Sequence, residues 1–292
     1  MSEASVQSPT GRAWRRFKNN RAGWYSAWFL AGIVLLVVLW PALAPYPPDA
    51  ISDAQFHAPG TAHWFGTDVH GRDLLTRVFY GARISLLVGG VGAGVSLVIG
   101  VVWGAIAGYA GGRLDGVMMR IVDVLYALPS IVFVIVLLTT LNGVLDRFQA
   151  RGWSGETART MQLLGLFVGL GAISWLTMAR IVRGEVLSLR MRPFVEASRA
   201  LGAGRARILW SHILPNVLGI VIVYLALTVP AVVLYESFLS YLGLGIQPPQ
   251  ASPGPLIAEG ASQINPTRLY RWHTVCPAST LPPPPATALP TA

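Results

Sequence analysis

Residues able to do chemistry are sparse in this chain, and their spacing assembles no catalytic centre. Two carboxylates, Asp123 and Glu236, stand near the ends of long apolar runs. An ionisable group there is costly and is by default functional or ion-paired. They are expected either to line a polar path or to pair, with Arg120 or with a group on another helix. Asp68, Arg72 and Asp73 cluster in a polar stretch that suits pairing within a loop or contact with an outside partner. The richest segment is Glu196-Ala197-Ser198-Arg199-Ala200-Leu201-Gly202, followed ten residues later by His212-Ile213-Leu214-Pro215-Asn216. Its chemistry is recognition rather than bond making, because a short helix with small side chains gives another protein a close seat. No phosphate-cradling G-x-x-x-x-G-K-[ST] loop is present, and no nucleophile, base and orienting group recur together. Cys276 is the single cysteine, so neither a disulfide framework nor a zinc cluster has a basis. Catalytic residues, metal ligands and cofactors are therefore not expected. His212 suits a helix cap or a packing position better than acid–base work.

The elements that carry these residues are membrane spans. The 292 residues are 53% hydrophobic and only 12% charged, whereas a soluble chain carries about 25% charged residues. Five runs, at 24–44, 84–110, 121–145, 160–179 and 217–246, are long enough to cross a bilayer, which takes about 20 helical residues. None alternates like a barrel strand, and a backbone in lipid must satisfy its own hydrogen bonds. An all-α polytopic bundle follows. Pro41, Pro45, Pro47 and Pro48 are expected to end the first span. The first run is too long for a signal-peptide core and is read as retained.

The net charge of +9 is carried almost wholly by arginine. In so apolar a chain it reads as an orientation signal rather than a nucleic-acid footprint. Fourteen Lys and Arg fall on the side of the N-terminal tail and eight on the other. The richer side is expected to be cytoplasmic, and with it the N-terminus and the Glu196 segment. In the second span, Gly92, Ser96, Gly100, Gly104 and Gly108 recur every four residues, a smooth stripe that lets another helix backbone approach. The stripe fits a moving interface in a translocation bundle and ordinary helix packing equally well.

Within the Glu196 segment, Pro193 suits a first helical turn, and Phe194, Ala197 and Leu201 follow at helical spacing. Gly202 and Gly204 permit a sharp turn. The apolar positions from Ile208 to Leu214 lead back to the membrane, where Pro215 is expected to stop that stretch and Asn216 to cap the fifth span. Helix, bend, helix is the expectation.

At these residues the chain resembles the integral membrane subunits of binding-protein-dependent ABC importers, whose cytoplasmic signature is E-A-A-x-x-x-G, nine residues, then I-x-L-P. The ending His212-Ile213-Leu214-Pro215-Asn216 is similar to the dipeptide/oligopeptide branch. Three further segments resemble its C-type subunit: 66–73 with Gly81-Ala82-Arg83; 120–123 with Leu128-Pro129-Ser130; and Glu236-Ser237 through 242–249. The resemblance covers roughly residues 10–270. It implies a type I importer transmembrane bundle in a bacterial inner membrane and a permease role for di- or oligopeptides. It also implies four classes of partner: a second homologous permease subunit, two ABC ATPase subunits, an extracytoplasmic solute-binding protein and the lipid bilayer. Glu196, Ala197, Ser198, Gly202, His212, Leu214, Pro215 and Asn216 would form the ATPase-coupling loop, with Glu196 at the contact and Gly202 at the bend. ATP would be hydrolysed on the partners, not on this chain. The same branch also handles nickel chelates and other small solutes, so the cargo stays open at this point. A proton-coupled carrier would show more midplane carboxylates and an internal repeat.

The domain organisation implied is a cytoplasmic tail at 1–23, a first span and outer loop at 24–83, the importer domain at 84–270 with its coupling loop at 183–216, and a Pro-rich tail at 271–292. The family ends with a sixth span that this sequence lacks, and Pro253 stands where the family usually has Trp. The tail, with four consecutive prolines from Pro282, is expected to be disordered or polyproline-like, with a shifted reading frame near Arg271 as the expected cause. A truncated, non-transporting membrane protein is the corresponding alternative.

Overall fold

The computed structural model describes residues 14, 15, 17–150, 152, 154–245 and 252–262. The described residues form helices joined by short loops, without a named strand. In chain order these are α1 (Arg21–Leu43), α2 (Leu74–Ala110), α3 (Gly112–Ala127), α4 (Ser130–Gln149), α5 (Gly155–Leu189), α6 (Pro193–Ala200), α7 (Arg205–Ile208), a π turn (Leu209–Ile213), α8 (Leu214–Tyr241) and α9 (Pro253–Ser262). Five stretches are long and apolar enough to cross a membrane. The Pro-rich tail, Cys276 and residues 246–251 fall outside the described residues.

Capping side chains fix three of the starts. Asn20 Oδ1 accepts from the Gly23 amide at the head of α1, Asp73 from Thr76 at α2, and Ser154 from Thr157 at α5, each satisfying a first-turn N–H that has no helical partner. Several spans differ from the expected bounds. Pro41 sits inside α1, which continues to Leu43. The second run begins ten residues earlier than expected, because Asp73 caps a helix that continues from the loop 44–73. The expected single span at 121–145 is broken. Pro129 cannot donate a backbone N–H and disfavours helical geometry at Leu128, so α3 stops at Ala127 and α4 restarts at Ser130. The expected fourth span, α5, runs on through Arg180, Arg183 and Glu185 to Leu189.

Packing centres on α2 and α5, which share the most extensive interface. The four-residue stripe explains it. A Cβ at Gly100 would stand 2.6 Å from Met178 Cβ, and one at Gly108 would stand 2.8 Å from the Arg183 carbonyl, while Gly104 faces Ala179 and Val182. Gly92 meets Val232 of α8 instead, and Ser96 Oγ donates to the Ser174 carbonyl at 2.8 Å. One helix therefore seats two neighbours at near-backbone distance, where dispersion rather than hydrophobic burial drives association in lipid. Two buried clusters flank this seam. One joins Val101, Val182, Val186, Val195, Ile213 and Val217; the other joins Val88, Leu138, Leu166, Leu170, Val232 and Leu239. Much of the remaining surface of the spans is apolar and exposed, as at Val98 and Ile222.

Candidate functional site

At one end of the bundle, α5 passes straight into α6. Arg192 starts α6, Pro193 occupies its first turn, and the helix stops at Ala200. Gly202 then adopts φ +83°, a left-handed conformation that costs an L side chain about 1–2 kcal/mol. Gly204, at φ −65°, makes no such demand. The expected helix–bend–helix is present. Val195 is fully buried among Val186, Ile208 and Ile213, so one side of α6 is bolted to the bundle. The other side is open: Glu196, Ala197 and Gly202 are exposed, and Leu201 is 88% exposed. Ser198 is half-buried, its hydroxyl turned back to the Phe194 carbonyl at 2.8 Å.

The return to the membrane differs from expectation. Pro215 does not stop the preceding stretch, and Asn216 caps nothing. The chain is helical from Arg205 to Tyr241, with Pro215 in the first turn of α8 and no side-chain cap there. Proline lacks an N–H and crowds the carbonyl one turn earlier. The five residues before α8 open into a π turn, in which the Leu214 amide reaches the Leu209 carbonyl. The side-chain amide of Asn216 donates to the His212 carbonyl at 2.6 Å. His212 and Leu214 are half-buried and Pro215 is exposed. The eight residues thus lie on one continuous lever, rooted in α5 at one end and α8 at the other.

Three contacts tie this lever to its neighbours. Arg183 donates to both oxygens of Asp115, at 2.5 and 2.7 Å, joining α5 to α3. That pair holds the Asp115 carboxyl below its ordinary range: the Arg183 hydrogen bonds are the main cause, partial burial opposes them, and the charges of Arg183 and Arg190 add to them. Arg190 donates to the Gly108 carbonyl at 3.1 Å. Arg180 donates to Asp123 at 2.8 Å. Asp123 is thus an ion-pair residue, but with Arg180 of α5 and not with Arg120.

Above the lever, the end of α3 with α4, α5 and α8 encloses an open groove of about 330 Å³. Its polar lining is hydroxyl only, from Tyr126, Ser130, Ser174, Thr177, Tyr224, Thr228 and Tyr235, and no charged side chain among the described residues faces it. Tyr126, whose hydroxyl is 3.3 Å from that of Thr177, lies under the Arg180 guanidinium at 4.1 Å. The Asp123–Arg180 pair therefore flanks one mouth of the groove. Glu236 is placed elsewhere. It is fully buried against α2, accepting from Ser85 at 2.6 Å and Ser240 at 2.8 Å, and makes no ion pair among the described residues. Its neighbour Tyr235 faces the groove. The groove hydroxyls were not singled out from sequence, since scattered Tyr, Ser and Thr in apolar runs carry no spacing signal.

At the opposite end, the loop 44–73 folds back on the head of α2. Asp68 bonds Arg72 at 2.6 Å and Arg77 at 2.5 Å, and Arg77 also holds Glu259 of α9 at 2.7 Å. Burial opposes ionisation of Asp68, but the backbone amides of Arg72 and His70 and the charges of Arg77 and Arg72 outweigh it, leaving the carboxyl below its ordinary range. Asp73 caps α2 and takes His63 Nδ1 at 2.9 Å. Asp68, Arg72 and Asp73 are thus committed to pairing within this end of the protein. Gly71, at φ +72°, packs on the Ser52 carbonyl with no room for a Cβ, which closes the loop.

Comparison with known proteins places the chain among transport permeases. Residues 100–275 match the family described as binding-protein-dependent transport system inner membrane component. Residues 8–59 match the N-terminal transmembrane domain of oligopeptide transport permease C. The chain is 43% identical over 267 residues to an oligopeptide transport system permease protein OppC of Haemophilus influenzae, covering 90% of this chain and 79% of that one. It is 42% identical over 265 residues to a dipeptide transport system permease protein DppC of Bacillus subtilis, covering 89% and 77%. It is 43% identical over 270 residues to the OppC of Escherichia coli K12, covering 91% and 82%.

Proposed function

Because the chain belongs to the binding-protein-dependent transport inner membrane family, in its dipeptide/oligopeptide C-type branch, we propose that it forms half of a peptide translocation path and couples that path to ATP-hydrolysing subunits through α6. The observation that carries this reading is the two-sidedness of α6. Val195 fixes it to the bundle, while Glu196, Ala197 and Leu201 face outward.

Movement of a partner against that open face would pass directly into α5, three residues away, and into α8 through α7 and the π turn, which run into it as one helical stretch from Arg205 to Tyr241. The Gly100–Gly104–Gly108 seam gives α5 a smooth surface on which to shift against α2. Affinity for cargo then changes with nucleotide state as the bundle alternates between conformations. The groove supports a peptide cargo of mixed sequence: hydroxyls can meet backbone amides and carbonyls, and the absence of a lining charge sets no demand on side-chain sign. A homologous permease would supply the other wall, and an extracytoplasmic binding protein would deliver at the Asp68 end. In this reading the α6 end and the N-terminus are cytoplasmic, ATP is bound and hydrolysed by the two partner ATPases, and the domain limits are those drawn from the sequence, except that the limit at 83/84 moves to 73/74, where α2 begins.

The test is reconstitution of the chain with its partner permease, ATPases and binding protein in proteoliposomes. Uptake of a labelled tri- to pentapeptide should require ATP and fall at least tenfold with Glu196→Ala combined with Gly202→Val. ATP-independent uptake, or uptake indifferent to both changes, rejects the reading.

A further inference from the structure

Beneath the lever lies a second cleft, of about 570 Å³, between the end of α2 and the α6–α7 bend. Its walls are of two kinds. Ile106, Tyr109, Ile208 and Leu209 give an apolar back, and Arg199 and Arg205 stand at its rim. Among the described residues no carboxylate lines the cleft, and none pairs with either guanidinium. Arg72, Arg77, Arg180 and Arg183 each have such a partner. An apolar track leads to the cleft along α2. Val98, Val102 and Ile106 are four residues apart, hence on one helix face, and are 64%, 40% and 42% exposed. The track is about 12 Å long at helical rise, and a bilayer would cover it with acyl chain.

We propose that this cleft holds the headgroup of an anionic phospholipid, its phosphate between Arg199 and Arg205 and an acyl chain along the Val98–Val102–Ile106 track. Two unpaired cations match one phosphate, and the apolar track requires a ligand with a tail, which a free anion lacks. A lipid seated there would wedge the bend against α2 and set the resting height of α6. Only the choice of leaflet rests on the proposed orientation; occupancy itself does not depend on transport.

The experiment is lipid retention by the full-length chain in a mild detergent, read by native mass spectrometry after equilibration with dioleoyl phosphatidylglycerol or dioleoyl phosphatidylcholine. One phosphatidylglycerol per chain should be retained in preference to phosphatidylcholine. Retention should weaken roughly fivefold with Arg199→Gln or Arg205→Gln alone and roughly thirtyfold with both. Arg207→Gln, on exposed α7 but outside the cleft, should leave it unchanged, and soluble glycerol phosphate should not compete. Equal retention of the two lipids, retention unaffected by the double change, or displacement by glycerol phosphate would each overturn the proposal. So would a double variant that keeps the lipid but no longer captures the ATPases, because Arg199 and Arg205 would then belong to the partner face.

Discussion

Adding one methyl group to Gly104 should loosen the α2–α5 seam, and adding the same group to Gly94 should not. A Cβ built on Gly104 would lie 2.9 Å from Val182 Cβ and 3.0 Å from the Arg183 amide nitrogen, with the Ala179 carbonyl closer still. None of these atoms can rotate away, so the helices must part toward the 3.5–4.0 Å of ordinary contact, a shift of about 0.5–1 Å that forfeits about a quarter to a half of the dispersion there. Overpacking of this kind costs about 1–3 kcal/mol. The better helix propensity of alanine returns about 1 kcal/mol, leaving a net loss of up to about 2 kcal/mol, or up to roughly thirtyfold in the folded ratio; against Gly94→Ala, which shares that return, the full overpacking cost of about 1–3 kcal/mol should show. Gly94 lies on the same helix with nothing within 4 Å of a built Cβ, so Gly94→Ala should be neutral or gain up to about 1 kcal/mol. The assay is SDS titration of the detergent-solubilised chain, followed by intrinsic tryptophan fluorescence, in which the Trp103–Trp175 pair, whose rings meet across this seam at 5.2 Å, reports on the seam. Gly104→Ala unfolding at the same or higher SDS than Gly94→Ala would refute the packing argument.

Other perturbations bear on the remaining contacts. Asp68 and Asp115 both titrate below the ordinary 3.8 when folded, so their stabilisation is complete above that value and is lost as pH falls through the lowered folded values. Acid titration of the wild-type chain should therefore show a decline in stability only below about pH 4, and Arg183→Gln should remove the Asp115 share of that decline. Ser85→Ala should cost about 1 kcal/mol in the same SDS titration, the worth of one hydrogen bond to Glu236. Gly202→Val should cost about 1–2 kcal/mol through φ alone, since a Cβ there meets no neighbour. Gly204→Val, at ordinary φ, should not disturb the bend, as limited proteolysis between Arg199 and Arg207 would report. Thr228→Trp should fill the groove and abolish peptide uptake in proteoliposomes while capture of the ATPases persists.

Helix identity and the α2 stripe were legible because they rest on local rules: apolar length for a span, and a period of four for a shared face. The break at Pro129 was legible in principle, yet a continuous apolar run spoke louder than one residue. Pro215 misled in the opposite direction. A proline in a first turn continues a helix, and the strain before it relaxed into a π turn rather than a stop. Partner choice was the least legible feature. Asp123 found Arg180, 57 residues away, and Glu236 found Ser85, 151 residues away. No spacing rule spans such separations; only the fold brings these groups together. The groove hydroxyls come from four helices and have no sequence period at all.

The central claim, that α6 is the seat for an ATP-hydrolysing partner, is tested most directly by a photo-crosslinking residue in place of Ala197, in the assembled complex within native membranes. The account predicts a crosslink to an ATPase subunit whose yield changes on trapping with ATP and a hydrolysis inhibitor, and loss of that crosslink with Gly202→Val but not with Gly204→Val. A crosslink confined to lipid or to the extracytoplasmic binding protein would contradict it.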